Sequence, residues 1–289
     1  MKKFNKLFIF FTFLTFHSTQ PLAIKQQPSP FYDHRKNYSG KKLQPKFIIM
    51  HFTANCSEQE SWRSFFNFLR PVSAHYLIDV DGKVTQMVSE EKRAWHAGES
   101  SWKDQFDMNS VSIGIEIINP GFSNPDTDPC TSNKKLWNKN TGQHVSGSDK
   151  LWYAFTNQQI DSLIKLCKSI MHRYQIPSSN VLGHSDIAPG RKVDPGPLFP
   201  WQKLSEQGIG IWWKNIQPCS NFTTEELQKK LQKLGYNIKI TGNEDEQTTK
   251  VIASFQMHFQ QNNISGLANN ETMQILNNLL TQSVQGFDK

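Results

Sequence analysis

The sequence predicts an α/β domain, with a mixed central sheet flanked by helices, followed by a small all-α domain of three helices. Three observations predict it. Short apolar runs alternate with amphipathic helical stripes between residues 46 and 184. One hairpin, turning at Asp81-Gly82, interrupts that alternation and requires an antiparallel pair in the sheet. From residue 222 onward three stripes of helical period follow one another, with no strand pattern between them.

Each element has its own warrant. Residues 24–45 are a polar lead-in rich in Pro, Lys and Gln. "KFIIMHF" (46–52) reads as a buried strand that delivers His51 near its end. Ser57 and Glu60 have capping-box spacing, and Trp62, Phe65, Phe66 and Leu69 continue as one helical face. "SAHYLIDVDGKVTQMV" (73–88) is the hairpin. In "SVSIGIEIINP" (110–120), Val111, Ile113, Ile115 and Ile117 point to one side of a strand. Ser112, Gly114, Glu116 and Ile118 point to the other. Residues 120–150, rich in Asn, Asp, Ser, Gly and Lys, read as a long loop without period. Thr156 and Gln159 open a helix whose stripe is Ile160, Leu163, Ile164, Cys167, Ile170, Met171 and Tyr174, and Pro177 ends it. "NVLGH" (180–184) is a short strand. After Pro218, Thr223 and Glu226 cap a helix lined by Leu227, Leu231 and Leu234 and stopped by Gly235. Val251, Ile252, Phe255 and Phe259 mark a second helix. Met273, Ile275, Leu276, Leu279 and Leu280 mark a third.

Composition narrows the class. Of 289 residues, 37% are hydrophobic and 12% aromatic, which suffices for a core and excludes wholesale disorder. The net charge of +7 suits either solubility or a polyanionic partner; with no dense Lys/Arg cluster, no nucleic-acid face is expected. Lys2, Lys3 and Lys6 precede an apolar run from Leu7 to Phe16, too short to span a bilayer comfortably. Residues 1–23 are therefore expected to be a signal peptide, and the protein to be exported, periplasmic or secreted. No stable membrane anchor is expected unless that signal stays uncleaved. Export permits disulfides. Cys167 falls on the helical stripe and reads as a buried thiol. Cys130 with Cys219, both in irregular segments, is the expected bridge.

The stretch "GHSDIAPGRKVDPGP" (183–197) crowds ionisable groups among Pro and Gly. His184 and Asp194 from this stretch, together with His51, lie at or just beyond strand ends, where side chains gather at a sheet edge. Two imidazoles and a carboxylate make a zinc set that leaves a fourth position open. Ala188-Pro189-Gly190 can turn the chain so that His184 and Asp194 reach one ion. No helical HExxH or paired CxxC narrows the metal reading further, and a lone His is more often a surface or satisfied core residue. Glu116 stands in a strand of isoleucines beside the small Gly114. It is either a working carboxylate or a Glu on the solvent side of a half-buried strand. Lys192, two residues before Asp194, points to the same side in an extended segment, toward the pocket or toward solvent.

"HFTA" at 51, "AHYLID" at 74, "AWHAG" at 94, "GIEIINPG" at 114 and "GHSDIAPGRKVDPGPLFPW" at 183 together resemble the zinc-dependent type 2 N-acetylmuramoyl-L-alanine amidases, most closely the exported AmiD type. The resemblance covers about residues 45–217, with the motifs in family order. "LQKKLQKLGY" (227–236) and "TTKVIASFQ" (248–256) resemble the peptidoglycan-binding domain that often follows. The resemblance implies the peptidoglycan recognition/type 2 amidase fold over residues 24–217 and a peptidoglycan-binding three-helix domain over 222–283. It implies one Zn2+ per chain on His51, His184 and Asp194, with Glu116 and Lys192 as catalytic residues. Tyr76, Trp95 and His96 are the implied substrate-binding residues, and peptidoglycan or muropeptides the substrate. The implied reaction is hydrolysis of the amide between N-acetylmuramic acid and L-alanine. A non-catalytic peptidoglycan-recognition protein and a zinc endopeptidase of the stem peptide are the alternatives. The sequence departs from the AmiD type in having no Cys before Cys56 to carry a lipid, and in its long 120–150 segment.

Overall fold

The computed structural model describes residues 22–26, 43–67, 69, 72–219 and 221–285. The expected signal peptide, 1–23, lies outside the described residues except for its last two. In chain order the elements begin with β1 (Ile24–Gln26), β2 (Phe47–Phe52), α1 (Glu58–Phe65), β3 (Tyr76–Ile78) and β4 (Val84–Gln86). The short pair β5 (Ser101–Trp102) and β6 (Gln105–Phe106) precedes β7 (Ser112–Ile117). Three further short strands are β8 (Phe122–Ser123), β9 (Gln143–His144) and β10 (Leu151–Trp152). Then come α2 (Asn157–Tyr174), β11 (Val181–Gly183), α3 (His184–Ile187) and α4 (Trp201–Ser205). The C-terminal unit is α5 (Thr224–Leu234), α6 (Glu246–Phe259) and α7 (Asn270–Gln285).

The central sheet has the order β1-β4-β3-β7-β2-β11. Only the β3–β4 hairpin is antiparallel; every other neighbour is parallel. The expected mixed sheet is thus present. β2 and β7 lie side by side in the register Phe47↔Ser112 through Phe52↔Ile117, so His51 is opposite Glu116. Pleating puts these two on the same face.

The other face is apolar. Ile48, Met50, Ile113, Ile115 and Ile117 pack there against Ile160, Leu163, Leu166, Cys167 and Ile170 of α2. Thr156 and Gln159 close a reciprocal capping box at the start of that helix. Cys167 is a buried free thiol whose pKa is raised by burial.

The C-terminal helices do not hang from a linker. Leu227, Leu231, Tyr236, Val251, Phe255 and Leu276 share one core with Phe47, Ile49, Trp102, Leu182 and Ile187 of the sheet and its loops. Gly235, at φ +144° beyond α5, lets the backbone lie against the Trp102 indole; a Cβ there would be 2.4 Å from that ring. Trp213 Nε1–H donates to the Phe259 carbonyl at 2.7 Å across the same boundary.

Three expectations need correction. Helix α1 ends at Phe65, not beyond Leu69, which is 91% exposed. Asn67 Oδ1 takes the Leu69 N–H at 2.9 Å, the donor a continuing helix would give to the Phe65 carbonyl. Segment 120–150 is not structureless: β8, β10 and β9 make a three-stranded antiparallel sheet within and just beyond it. The bridge is Cys56–Cys130, and Cys219 is free, with its Sγ against the Asn270 carbonyl. Near the bridge Ser132 Oγ donates to Glu60 at 2.6 Å and Asn133 to the Cys56 carbonyl, so the segment is fastened to the head of α1.

Candidate metal centre and active site

His51 is carried by the end of β2 and His184 by the first residue of α3, directly after β11. β2 and β11 are paired in parallel, so both imidazoles leave the carboxyl ends of neighbouring strands, where α/β folds place ligand sites. Asp194 returns after a loop, and its carbonyl accepts the Ser185 N–H at 2.9 Å. The three side chains are buried. His51 Nδ1 is 3.0 Å from His184 Nδ1 and 2.8 Å from Asp194 Oδ2. His184 Nδ1 is 3.0 Å from the same oxygen.

These donors form a group that can hold a metal ion. Donors about 2 Å from a tetrahedral ion lie roughly 3.3 Å apart, close to this triangle. The far side of each ring supports the fit. His184 Nε2 faces the Ala97 carbonyl at 2.9 Å and must carry a proton there, so in the neutral tautomer Nδ1 is the lone pair turned toward the metal position. His51 Nε2 faces His96 Nδ1 at 3.0 Å, and His96 Nε2 is 3.3 Å from Ser112 Oγ. Ser112 Oγ–H donates to the Met108 carbonyl at 2.5 Å. Proton donation along this row, from His51 to His96 to Ser112 to Met108, is consistent at every link and leaves His51 Nδ1 free toward the metal position. Burial first, then the neighbouring His184, pulls the His51 pKa down to about 4 against the attraction of Asp194. Burial alone would raise Asp194, but the two imidazoles outweigh it and hold the carboxyl well below the usual range. A neutral His51 and an anionic Asp194 are in protonation states that suit a divalent cation.

Glu116 lies beside this group on β7. Its Oε2 is shielded from solvent and, among the described residues, has no hydrogen-bond partner. Its pKa is raised well above the ordinary carboxylate value, by burial first and by Asp194 second, while Lys192 opposes the shift. The Lys192 charge also acts on His51, so its ammonium belongs to the electrostatics of this pocket.

Two of the expected substrate-binding residues sit elsewhere. Tyr76 pairs with Ile115, whereas Leu77 pairs with Glu116, so pleating turns Tyr76 to the α2 side of the sheet. It is buried in that core and its hydroxyl donates to Glu90 at 2.6 Å. His96 is not on the cleft surface but behind His51, held there by Asn109 Oδ1, which accepts both the His96 and Ala97 N–H groups. Gly114 makes this possible: a Cβ there would lie 2.4 Å from the His96 ring. Trp95 is half-buried, its N–H on Ser73 Oγ. Sequence reasoning missed Ser112, Asn109 and Arg191, whose Nη2 also donates to the Ala97 carbonyl. Only Gly114 hinted at them, as a small residue in a strand of isoleucines.

A mixed sheet with a His-His-Asp group at its strand ends, and alongside it a carboxylate with one oxygen unpartnered among the described residues, has the form of a hydrolase site. The family profile described as N-acetylmuramoyl-L-alanine amidase matches residues 41–197, and the putative peptidoglycan binding domain matches residues 223–276. The chain belongs to the N-acetylmuramoyl-L-alanine amidase family. It is similar to the N-acetylmuramoyl-L-alanine amidase AmiD of Escherichia coli, at 36% identity over 86% of this chain and 87% of that one. The solved complex of that enzyme with anhydro-N-acetylmuramic acid-L-Ala-D-gamma-Glu-L-Lys superposes with a TM-score of 0.69. It covers 86% of this chain and 94% of its own, at 33% identity. AmpDh3 of Pseudomonas aeruginosa in complex with anhydromuramic pentapeptide matches with a TM-score of 0.66 and 28% identity, covering 88% and 98%. Among the described residues no helix is long and apolar enough to cross a membrane.

Proposed function

We propose that this protein is an exported, zinc-dependent amidase that cleaves the bond between the lactyl carbonyl of N-acetylmuramic acid and the amine of L-alanine in peptidoglycan or muropeptides. Residues 1–23 direct export to the periplasm or the medium, residues 24–217 carry the reaction, and residues 222–283 contact the polymer. One zinc ion per chain would be held by His51, His184 and Asp194. When bound it supplies Lewis acidity, which makes water acidic enough to react near neutral pH.

The chain's own groups do the rest. Glu116, opposite His51 in the sheet, receives a proton from the attacking water and returns it to the leaving alanine nitrogen. Its raised pKa suits both proton transfers, because ordinary carboxylates are poor acids toward an amine at neutral pH. Lys192 offers a positive charge to the oxyanion of the tetrahedral intermediate. Trp95 lines the cleft. His96 and the Ala97 carbonyl keep the two imidazoles in the tautomers that metal binding needs.

The observation that carries this reading is the convergence of three donors, within 3.0 Å of one another, beside Glu116, whose shielded Oε2 has no hydrogen-bond partner among the described residues. Zinc content together with product mass tests it. Purified protein is expected to carry close to one zinc, His184→Ala to lose most of it, and digested sacculi to release stem peptides beginning with alanine. Peptides cut internally would make the protein an endopeptidase; bound muropeptide with no product would make it a recognition protein.

A further inference from the structure

We propose that the C-terminal helical unit is a working part of the metal site: Tyr236 and His258 hold the Asp186 carboxylate, and through it position His184 and Asp194. Asp186 lies in the single turn α3, two residues after His184, and is 1% exposed. Its Oδ1 accepts the Tyr236 hydroxyl at 2.6 Å. Its Oδ2 accepts the Gly183 N–H at 2.8 Å and lies 2.7 Å from His258 Nδ1. A buried carboxylate is tolerated only when its oxygens are filled. Two of these three donors come from the C-terminal unit, 50 and 72 residues further along the chain.

The anchored turn is the one that presents the ligands. His184 opens it, and the Ser185 N–H, one residue before Asp186, donates to the Asp194 carbonyl at 2.9 Å. Pulling Asp186 into place therefore sets both the His184 side chain and the loop that returns Asp194. The two donors are themselves fixed by rings from the sheet side. His258 stacks on Trp201 at 3.8 Å, and Tyr236 meets Trp102 edge to face at 4.9 Å. Burial and the Asp186 charge raise the Tyr236 pKa well above its ordinary value, so the phenol keeps its proton for Asp186. A helical module that merely tethers an enzyme to its polymer needs none of these contacts.

This inference rests on the metal reading, and the experiment separates the two. Zinc affinity is measured on the full chain by chelator competition, and the ligand field by the visible spectrum of the cobalt-substituted protein. Tyr236→Phe, which keeps the ring and loses the hydroxyl, is expected to weaken zinc about tenfold and to change the cobalt bands. His258→Leu should do the same, while His258→Asn, whose amide can supply the lost N–H, should recover affinity. Trp213→Phe loosens the same interface without touching Asp186. It should lower the melting temperature and leave affinity and spectrum unchanged. Wild-type affinity and spectrum in folded Tyr236→Phe and His258→Leu would overturn the positioning role, as would equal weakening in Trp213→Phe. Absence of zinc binding in the wild-type chain would overturn the metal reading, and this one with it.

Discussion

Two carboxylates on opposite sides of the sheet, Glu90 buried and Glu116 half-buried, show what partners do to a charge. Glu90 accepts from Arg173 through Nε and Nη2, from Tyr76 Oη at 2.6 Å and from Tyr174 Oη at 2.9 Å. Burial pushes its pKa up, but these donors outweigh burial and hold it below the ordinary value. Glu116 stands in β7, where its shielded Oε2 has no donor among the described residues, and its pKa rises. The first carboxylate is spent on holding α2 against the β3–β4 region. The second is held available. Desolvation acts on both; the donors and charges beside them differ, Arg173 lowering Glu90 and Asp194 raising Glu116, and they decide which carboxylate can exchange protons in a reaction.

The largest expected effect separates the two. Glu116→Gln keeps shape and removes the exchangeable proton, so turnover should fall about 10²–10⁴-fold with zinc content and fold intact. A zinc ligand at this position would instead lose metal, and elemental analysis of the same preparation tells the cases apart. Glu90→Gln should reverse the pattern. It leaves Arg173 and two hydroxyls facing a neutral amide, and should cost about 2 kcal/mol in denaturant unfolding, an amount moderated by the 44% exposure of Arg173. Activity of the folded fraction should be unchanged.

The pH dependence sharpens the contrast, because the signs oppose. Glu90, held low, contributes stability that is present above the unfolded carboxylate pKa of about 4.3 and lost as pH falls through its depressed native value. Glu116, held high, binds its proton more tightly in the folded state. Its contribution is therefore lost as pH rises from that unfolded value through the raised one. In metal-free protein, unfolding free energies should favour Glu116→Gln over wild type increasingly as pH rises. Glu90→Gln should approach wild type only as pH falls. Parallel pH curves for the two variants would show that the two carboxylates do not differ as described. The smallest effect is Tyr76→Phe, about 1 kcal/mol for one hydrogen bond to Glu90, with KM unchanged. A raised KM would return Tyr76 to the substrate.

What the sequence made legible follows from periodicity and from local chemistry. The alternation in residues 110–120 gave the face of Glu116, and the strand ends gave His51 and His184, because those patterns are short-range. The parity of Tyr76 was not legible: a three-residue strand has too few side chains to show which face is buried, and only its register against β7 decides. His96 looked like a cleft residue because its space is provided by a missing Cβ on another strand. Cys56 found Cys130 rather than leaving it for Cys219 because contacts from Glu60 and the Cys56 carbonyl bring segment 120–150 onto α1. None of these contacts lies within one element. The hold of Tyr236 and His258 on Asp186 was hidden for the same reason.

The sheet order also sets a timetable. β2 acquires its neighbour β11 only after the intervening chain is made, and His51 meets Asp194 across 143 residues. His258 is later still. At about 5–20 residues per second, a ribosome takes on the order of 10–40 s to pass from His51 to His258. Until Asp194 has been made, the growing chain carries His51 without the partners that complete the donor group. A centre whose donors are spread this widely along the chain stays incomplete until late in synthesis, whatever else has already folded.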